Sequence, residues 1–67
     1  MLEGLFGNII IEKILFFLSV YGEGYPLGIA RVFGVPVNRI QQQLKRLENS
    51  GIVASRLTGN VRLYTFN

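Results

Sequence analysis

The strongest constraint on the fold of this chain is an apolar stripe that runs through residues 37–50. Four side chains recur along it at intervals of three, four and three residues: Val37, Ile40, Leu44 and Leu47. This spacing matches the period of an α-helix, so the segment is predicted to be a helix with one buried face. The polar side chains lie opposite the stripe on a helical wheel, which leaves that face exposed.

Glycine and proline punctuate the chain on the N-terminal side of this helix. A first helix is predicted over residues 8–21, because Asn8 is a good N-cap and Gly22 can take the left-handed conformation that ends a helix. Pro26 suits the first turn of a second, short helix over residues 27–33. The segment between these two helices is expected to be a loop.

The C-terminal part of the chain is predicted to form a β-hairpin. Residues 52–56 and 61–66 have the composition of strands, and the glycine and asparagine in residues 57–60 suit a turn. The expected fold class is therefore mainly α with a small hairpin, three helices followed by two strands. The length allows one domain, over residues 1–67.

The composition of the chain excludes most catalytic chemistry. There is no Cys and no His, and the sequence contains no Asp. The four glutamates are scattered, at Glu3, Glu12, Glu23 and Glu48. A chain without thiolate, imidazole or paired carboxylates is not expected to be an enzyme, to bind a metal or to need a cofactor.

The apolar residues are concentrated at the N-terminus without forming a membrane span. Glu12 and Lys13 interrupt residues 1–21, and the uninterrupted run from Ile14 to Leu18 is far shorter than the roughly 20 residues that a bilayer requires. No basic start or cleavage site of a secretory signal is present. A cytoplasmic protein is expected, and the low basic charge of this helix also argues against a peripheral membrane role.

Positive charge is concentrated in the second half of the chain. Residues 31–67 hold six of the seven Lys and Arg residues but only one of the four glutamates. A basic half on a small domain favours a polyanionic partner such as nucleic acid or an anionic membrane surface. The alternative is a basic face that is simply solvated.

The segment from residue 27 to residue 47 has the spacing of a helix-turn-helix. Ala30 is small where two helices cross, and Gly34 allows the tight turn between them. This motif places its second helix in the major groove of double-stranded DNA, where Asn, Gln and Arg side chains contact base edges. Five residues in the first half of that helix are the base-reading candidates: Asn38, Arg39, Gln41, Gln42 and Gln43.

A second set of residues is predicted to contact the DNA backbone or the adjacent minor groove. Two of these residues lie one helical turn after the base-reading candidates, and two flank the predicted hairpin turn. One more lies in the second helix and one in the hairpin turn itself. The set is Arg31, Lys45, Arg46, Arg56, Asn60 and Arg62. The alternatives are a solvated helix face and an ordinary closing hairpin whose arginines keep it soluble.

Short motifs along the chain carry a family resemblance: Ile29-Ala30-Arg31, Phe33-Gly34-Val35, Leu44-Lys45-Arg46-Leu47-Glu48, Ser50-Gly51-Ile52-Val53 and Gly59-Asn60-Val61-Arg62. The chain resembles prokaryotic winged helix-turn-helix transcription regulators of the ArsR/MarR type, and winged-helix domains associated with nucleotidyltransferases. The resemblance implies sequence-specific DNA binding by a homodimer. Pro36 stands where the family commonly has a Ser or Thr cap. Because Cys and His are absent, metal sensing is not implied.

The apolar N-terminal helix is the expected dimer surface, since relatives of this type often dimerise through terminal helices. The predicted interface residues are Leu2, Leu5, Phe6, Ile9, Ile11 and Phe16. A different reading is that the helix builds the monomer core, chiefly through Ile10, Ile14, Phe17 and Leu18. The alternative function is a protein-interaction module that docks a separate partner protein through this helix.

Overall fold

Three helices precede a small antiparallel sheet. A computed structural model describes the backbone of residues 2–67 and the side chains of residues 9–67. The elements are α1 (Leu2–Tyr21), β1 (Glu23–Gly24), α2 (Pro26–Phe33), α3 (Val37–Asn49), β2 (Val53–Thr58) and β3 (Val61–Phe66). The expected order of three helices and a two-stranded hairpin is confirmed, and β1 is an addition to it.

Helix α1 is longer than predicted. It begins at Leu2, so Asn8 lies inside the helix and the prediction that it is the N-cap is wrong. Asn and Gly are weak helix formers, but each costs only about 1 kcal/mol or less within a longer helix. The C-terminal end is as expected, because Gly22 has φ +83° and its N–H donates to the Leu18 carbonyl over 2.8 Å. No helix in the described part of the chain is long and apolar enough to span a bilayer.

The turn between α2 and α3 follows the glycine and proline signals. Gly34 has the left-handed conformation (φ 66°, ψ 37°), and the Val35 N–H donates to the Ala30 carbonyl over 3.0 Å. Pro36 occupies the N-cap position of α3 and provides no side-chain capping bond. The helix ends at Asn49, one residue before the predicted end, since Ser50 is its C-cap.

The three helices and the sheet share one hydrophobic core. Each of α1, α2, α3 and the sheet contributes buried side chains, which are Ile10, Ile14, Leu18, Ile29, Ala30, Ile40, Leu44, Leu47, Val53 and Tyr64. The interpretation that α1 builds the monomer core is therefore correct for one of its faces. Phe17 on the same helix is half-buried against this core.

Strands β2 and β3 form the hairpin, which we call the wing (residues 53–66). Their antiparallel register runs from Val53 opposite Phe66 to Thr58 opposite Val61. The turn is only Gly59 and Asn60, so the four-residue turn predicted over 57–60 is wrong. A two-residue turn is sufficient because Gly59 adopts φ +62°.

Strand β1 was expected to be loop. It pairs with β3, placing Glu23 opposite Thr65 and Gly24 opposite Tyr64, and the sheet order is β1-β3-β2. Gly24 also lets β1 pack closely against α1, because a Cβ at that position would lie 2.7 Å from Cε1 of Phe17. The two-residue strand thus fixes the end of α1 against the sheet.

Candidate nucleic-acid interface

Helix α3 presents a continuous polar face. Its apolar stripe is buried as predicted, with Ile40 and Leu44 fully inaccessible to solvent. This burial fixes the rotation of the helix about its axis and turns the opposite side outward. Four of the five base-reading candidates are exposed there: Asn38, Arg39, Gln41 and Gln42.

Gln43 does not belong to this face. Its side chain is only 8% exposed, and its Oε1 has no hydrogen-bond partner among the described residues. The expectation that Gln43 reads bases is therefore corrected. Gln43 lies at the edge of the stripe beside Ile40 and Leu47. The assembled fold covers this edge, whereas it leaves Gln41 at the opposite edge exposed.

Several backbone-contact candidates surround the exposed face of α3. Lys45 and Arg46 are exposed one turn after Gln41 and Gln42. Arg31 is exposed on α2. These positions give the outer side of the helix pair a local excess of positive charge, which favours a polyanion over a neutral partner.

Arg62 on the wing is linked to α3 through two successive hydrogen bonds. Arg62 Nη1 donates to the Ser55 hydroxyl over 3.0 Å, and that hydroxyl donates to Oε2 of Glu48 over 2.5 Å. Because Ser55 lies opposite Tyr64 and Leu57 lies opposite Arg62, these four side chains share the sheet face that packs toward α3. The wing is thereby held beside the end of α3.

Arg56 lies on the other face of the sheet. It is opposite Leu63 in the register, and its Nη2 lies 3.2 Å from Oε1 of Glu23. The sequence placed Arg56 and Arg62 together as a pair bracketing the turn. The structure separates them, because Arg62 lies opposite Leu57, the residue next to Arg56. Successive residues of a strand point to opposite faces.

A groove of about 370 Å³ lies between α3 and the wing. Gln41 borders it from α3, and Asn60 and Arg62 border it from the wing. The groove therefore brings a base-reading candidate together with two backbone-contact candidates. Tyr25 and Pro26 also line it, and the sequence alone did not indicate a role for them.

Burial and the charges of neighbouring side chains shift the pKa of Tyr64 on the wing. Burial raises the pKa of its phenol, the nearby Glu48 carboxylate raises it further, and Arg62 acts in the opposite direction. The phenol is thus neutral at physiological pH, and the acidic and basic groups at this end of α3 are close enough to influence each other.

A second exposed surface follows α1. Ile9 and Phe16, both predicted interface residues, are 46% and 63% exposed, whereas Ile11 is half-buried against the core. Val20 is 56% exposed and was missed, although it follows Phe16 by one helical turn. The predicted contacts of Leu2, Leu5 and Phe6 lie outside the side chains that the structure describes.

Comparisons with known proteins identify the fold. No protein-family model matches the chain, and no curated protein sequence matches it. The Zα domain of Carassius auratus PKZ, solved in complex with Z-DNA, superposes with a TM-score of 0.80 at 21% identity, covering 91% of this chain and 97% of that one.

A second solved structure, the AntR antimony-specific transcriptional repressor, has a TM-score of 0.74 at 24% identity. The match covers 82% of this chain and 50% of the repressor, so the chain corresponds to about half of that protein. At these identities the likeness concerns the fold, which is a winged helix.

Proposed function

We propose that the chain binds double-stranded DNA, with α3 in the major groove and the wing on the flanking backbone or minor groove. The observation that carries the proposal is the exposed face of α3, where amide and guanidinium groups precede Lys45 and Arg46. Two winged-helix neighbours, one in complex with Z-DNA and one a transcriptional repressor, support a nucleic-acid partner.

Sequence-specific recognition is the finer part of this proposal. Asn38 and Gln42 present amides that can pair with the N6 and N7 edge of adenine, and Arg39 can pair with guanine. All three lie in the first half of α3, which is the part that reaches base edges in helix-turn-helix proteins. Lys45, Arg46 and Arg62 then supply contacts to phosphates, which give affinity without sequence preference.

We further propose that the working form is a homodimer joined through α1, as in a transcription regulator of the ArsR/MarR type. Ile9, Phe16 and Val20 are separated by seven and four residues, so they form one exposed stripe. Leu2 and Phe6 continue the same spacing in the sequence. Alternating intervals of three and four are the pattern of a coiled-coil seam.

Lys13 occupies the remaining position of this stripe, between Ile9 and Phe16. It is half-buried, and its ammonium lies 5.4 Å from the ring centroid of Phe33, toward α2. A single Lys in such a seam selects the register and the number of helices, which favours a second copy of α1 over a promiscuous apolar partner.

The DNA proposal is tested by selecting bound duplexes from a random pool and sequencing them. A palindromic consensus is expected, with half-sites about 34–36 Å apart, because a two-fold dimer presents two recognition helices. Log affinity should fall linearly with log salt concentration. Gln42→Ala should change the base preference, and Arg62→Gln should weaken all sequences alike. Absence of salt-dependent binding at low ionic strength would contradict the proposal.

A second experiment tests whether the bound DNA is right-handed or left-handed. Circular dichroism of an alternating CG duplex shows whether added protein leaves it right-handed or converts it to the left-handed form. We expect selected right-handed duplexes to be bound without conversion. Tight binding of the left-handed form alone would mean that α3 does not lie in a B-DNA major groove.

The dimer is tested by light scattering after gel filtration. The expected mass is twice the 7.5 kDa of the chain. Phe16→Glu should give the monomer, whereas Leu57→Glu, at a side chain equally exposed on the wing, should leave the dimer intact.

The same exposed stripe favours the alternative function, a protein-interaction module. A wild-type chain that is monomeric, fails to bind DNA and recovers one stoichiometric partner in a Phe16-dependent manner would establish that alternative.

A further inference from the structure

The groove between α3 and the wing is built from more than the predicted DNA-contact residues. Its walls are largely apolar, formed by Tyr25, Pro26, Leu27, Val37 and Val61. We propose that this groove seats one sugar–phosphate unit of the bound DNA strand, a site that rests on the proposed DNA-binding function. The apolar wall would contact the deoxyribose and the polar rim would contact its phosphate.

A glycine leaves room for the aromatic wall of the groove to pack against α2. Tyr25 precedes α2, and its ring lies so close to Gly28 that a Cβ there would be 3.0 Å from the ring Cζ. Tyr25 as a whole is nevertheless 41% exposed, and it lines the groove. Pro26 follows with a fixed backbone φ, which makes this wall rigid.

The polar rim faces the apolar wall across the groove. Gln41 and Asn60 supply amide groups, and Arg62 supplies the positive charge. The hydrogen bond from Arg62 to Ser55 restrains the guanidinium before any ligand is bound. A restrained cation loses less conformational freedom on binding a phosphate than a mobile one does.

The occupant follows from the chemistry of a duplex and from the position of the groove. A helix in the major groove and a hairpin at the adjacent minor groove lie on the two sides of one strand, whose outer surface consists of phosphates and deoxyribose. The bases of that strand are paired and face inward. A groove that is apolar on one side and cationic on the other is complementary to this surface, and about 370 Å³ accommodates one unit of it.

The proposal separates two contributions to affinity that respond differently to salt. Phosphate contacts release counterions, so each one adds to the slope of log affinity against log salt, whereas an apolar contact adds affinity without changing the slope. Titrations of one selected duplex with the wild-type chain and its variants at several salt concentrations therefore distinguish the two contributions.

Tyr25→Ala is expected to weaken binding about tenfold with an unchanged salt slope, as for the loss of one well-packed apolar contact. Tyr25→Phe should bind like the wild type. Gly28→Ala should weaken binding while preserving the tyrosine, because its Cβ must displace the ring. Val32→Ala, at an exposed apolar side chain elsewhere on α2, is the matched control. Circular dichroism verifies that each variant is folded.

Neutral methylphosphonate linkages placed one at a time along the duplex locate the phosphate. One position should weaken wild-type binding but leave the binding of Arg62→Gln unaffected, with that variant's slope lower by about one. If Tyr25→Ala binds as the wild type does while Gln42→Ala loses base preference, the DNA-binding function stands and the groove assignment is overturned. Tyr25-dependent preference for a duplex with an unpaired nucleotide would also overturn it, since a base would then occupy the groove.

Discussion

Arg56 donates a hydrogen bond from Nη2 to Oε1 of Glu23 over 3.2 Å, and this pair joins β2 to β1 across the intervening strand β3. Both side chains are half or more exposed. An ion pair of this kind contributes little to stability, typically about 0.2–1 kcal/mol. Its larger consequence is electrostatic, because a carboxylate neutralises one of the two wing arginines.

Glu23→Gln should therefore strengthen DNA binding. The substitution leaves the shape of β1 unchanged and frees the charge of Arg56, so the slope of log affinity against log salt should increase by up to about 0.9, the value for one additional phosphate contact. Titrations at several salt concentrations measure this slope. Glu12→Gln makes the same change of net charge on α1, away from the wing. An equal gain in both variants would indicate a general charge effect and contradict a specific role for the pair.

Adjacent glutamines on α3 provide a matched test of burial and recognition. Gln43→Met replaces a buried amide whose Oε1 lacks a partner among the described residues. The variant should be more stable by about 1 kcal/mol, because an unsatisfied buried acceptor is removed while the side-chain length is retained. Its DNA binding should not change. Urea denaturation gives the free energy of unfolding.

Gln42→Met is the control one residue earlier, on the exposed face. Its free energy of unfolding should change little, and its preference among DNA sequences should change. If Gln43→Met alters base preference instead, the assignment of the two faces of α3 is wrong.

The sequence was informative where a local pattern determines the structure. The apolar intervals of three and four residues predicted which side of α3 is buried, and Gly34 marked the turn because a positive φ is needed there. Gln43 was misassigned because a helical wheel places it and Gln41 at equal angles on the two sides of the apolar stripe. Only the assembled fold shows that the edge with Gln43 is covered and the edge with Gln41 is exposed.

Features that depend on distant pairing carried no comparable signal. Glu23 and Gly24 become a strand only because β3, about forty residues later, lies alongside them. Arg56 and Arg62 were grouped by their distance from a turn, but the register places Arg62 opposite Leu57, the neighbour of Arg56, so the two arginines lie on opposite faces of the sheet. The groove lined by Tyr25 likewise exists only once α2, α3 and the wing are assembled.

Gly24 should be intolerant of a side chain for steric reasons alone. It does not have a positive φ, unlike Gly22, so its backbone conformation is open to alanine. A Cβ would, however, lie 2.7 Å from Phe17 Cε1 and 3.1 Å from Ile29 Cδ1. Gly24→Ala should cost about 1–3 kcal/mol of unfolding free energy, the usual range for overpacking. Chemical denaturation measures this cost, and Glu23→Ala on the same short strand is the control.

A double-mutant cycle identifies the cause of that cost. In a Phe17→Leu background the ring that would clash is absent, so Gly24→Ala should be less destabilising than in the wild type. An equal cost in both backgrounds would show that the close contact with Phe17 does not determine the residue at position 24.

Tyr64 should make the stability of the protein fall at high pH. Burial raises the pKa of its phenol above the ordinary value of 10.0, so between these two pKa values the folded state retains a proton that the unfolded state has lost. The stability contribution is complete below the unfolded pKa and is lost as the pH rises through the folded pKa. Tyr64→Phe cannot titrate, so its unfolding free energy should decline less, by up to about 1.4 kcal/mol per pH unit. Urea denaturation from about pH 8 to about pH 11 measures this difference. Parallel declines in the two proteins would contradict the buried, neutral phenol as the cause.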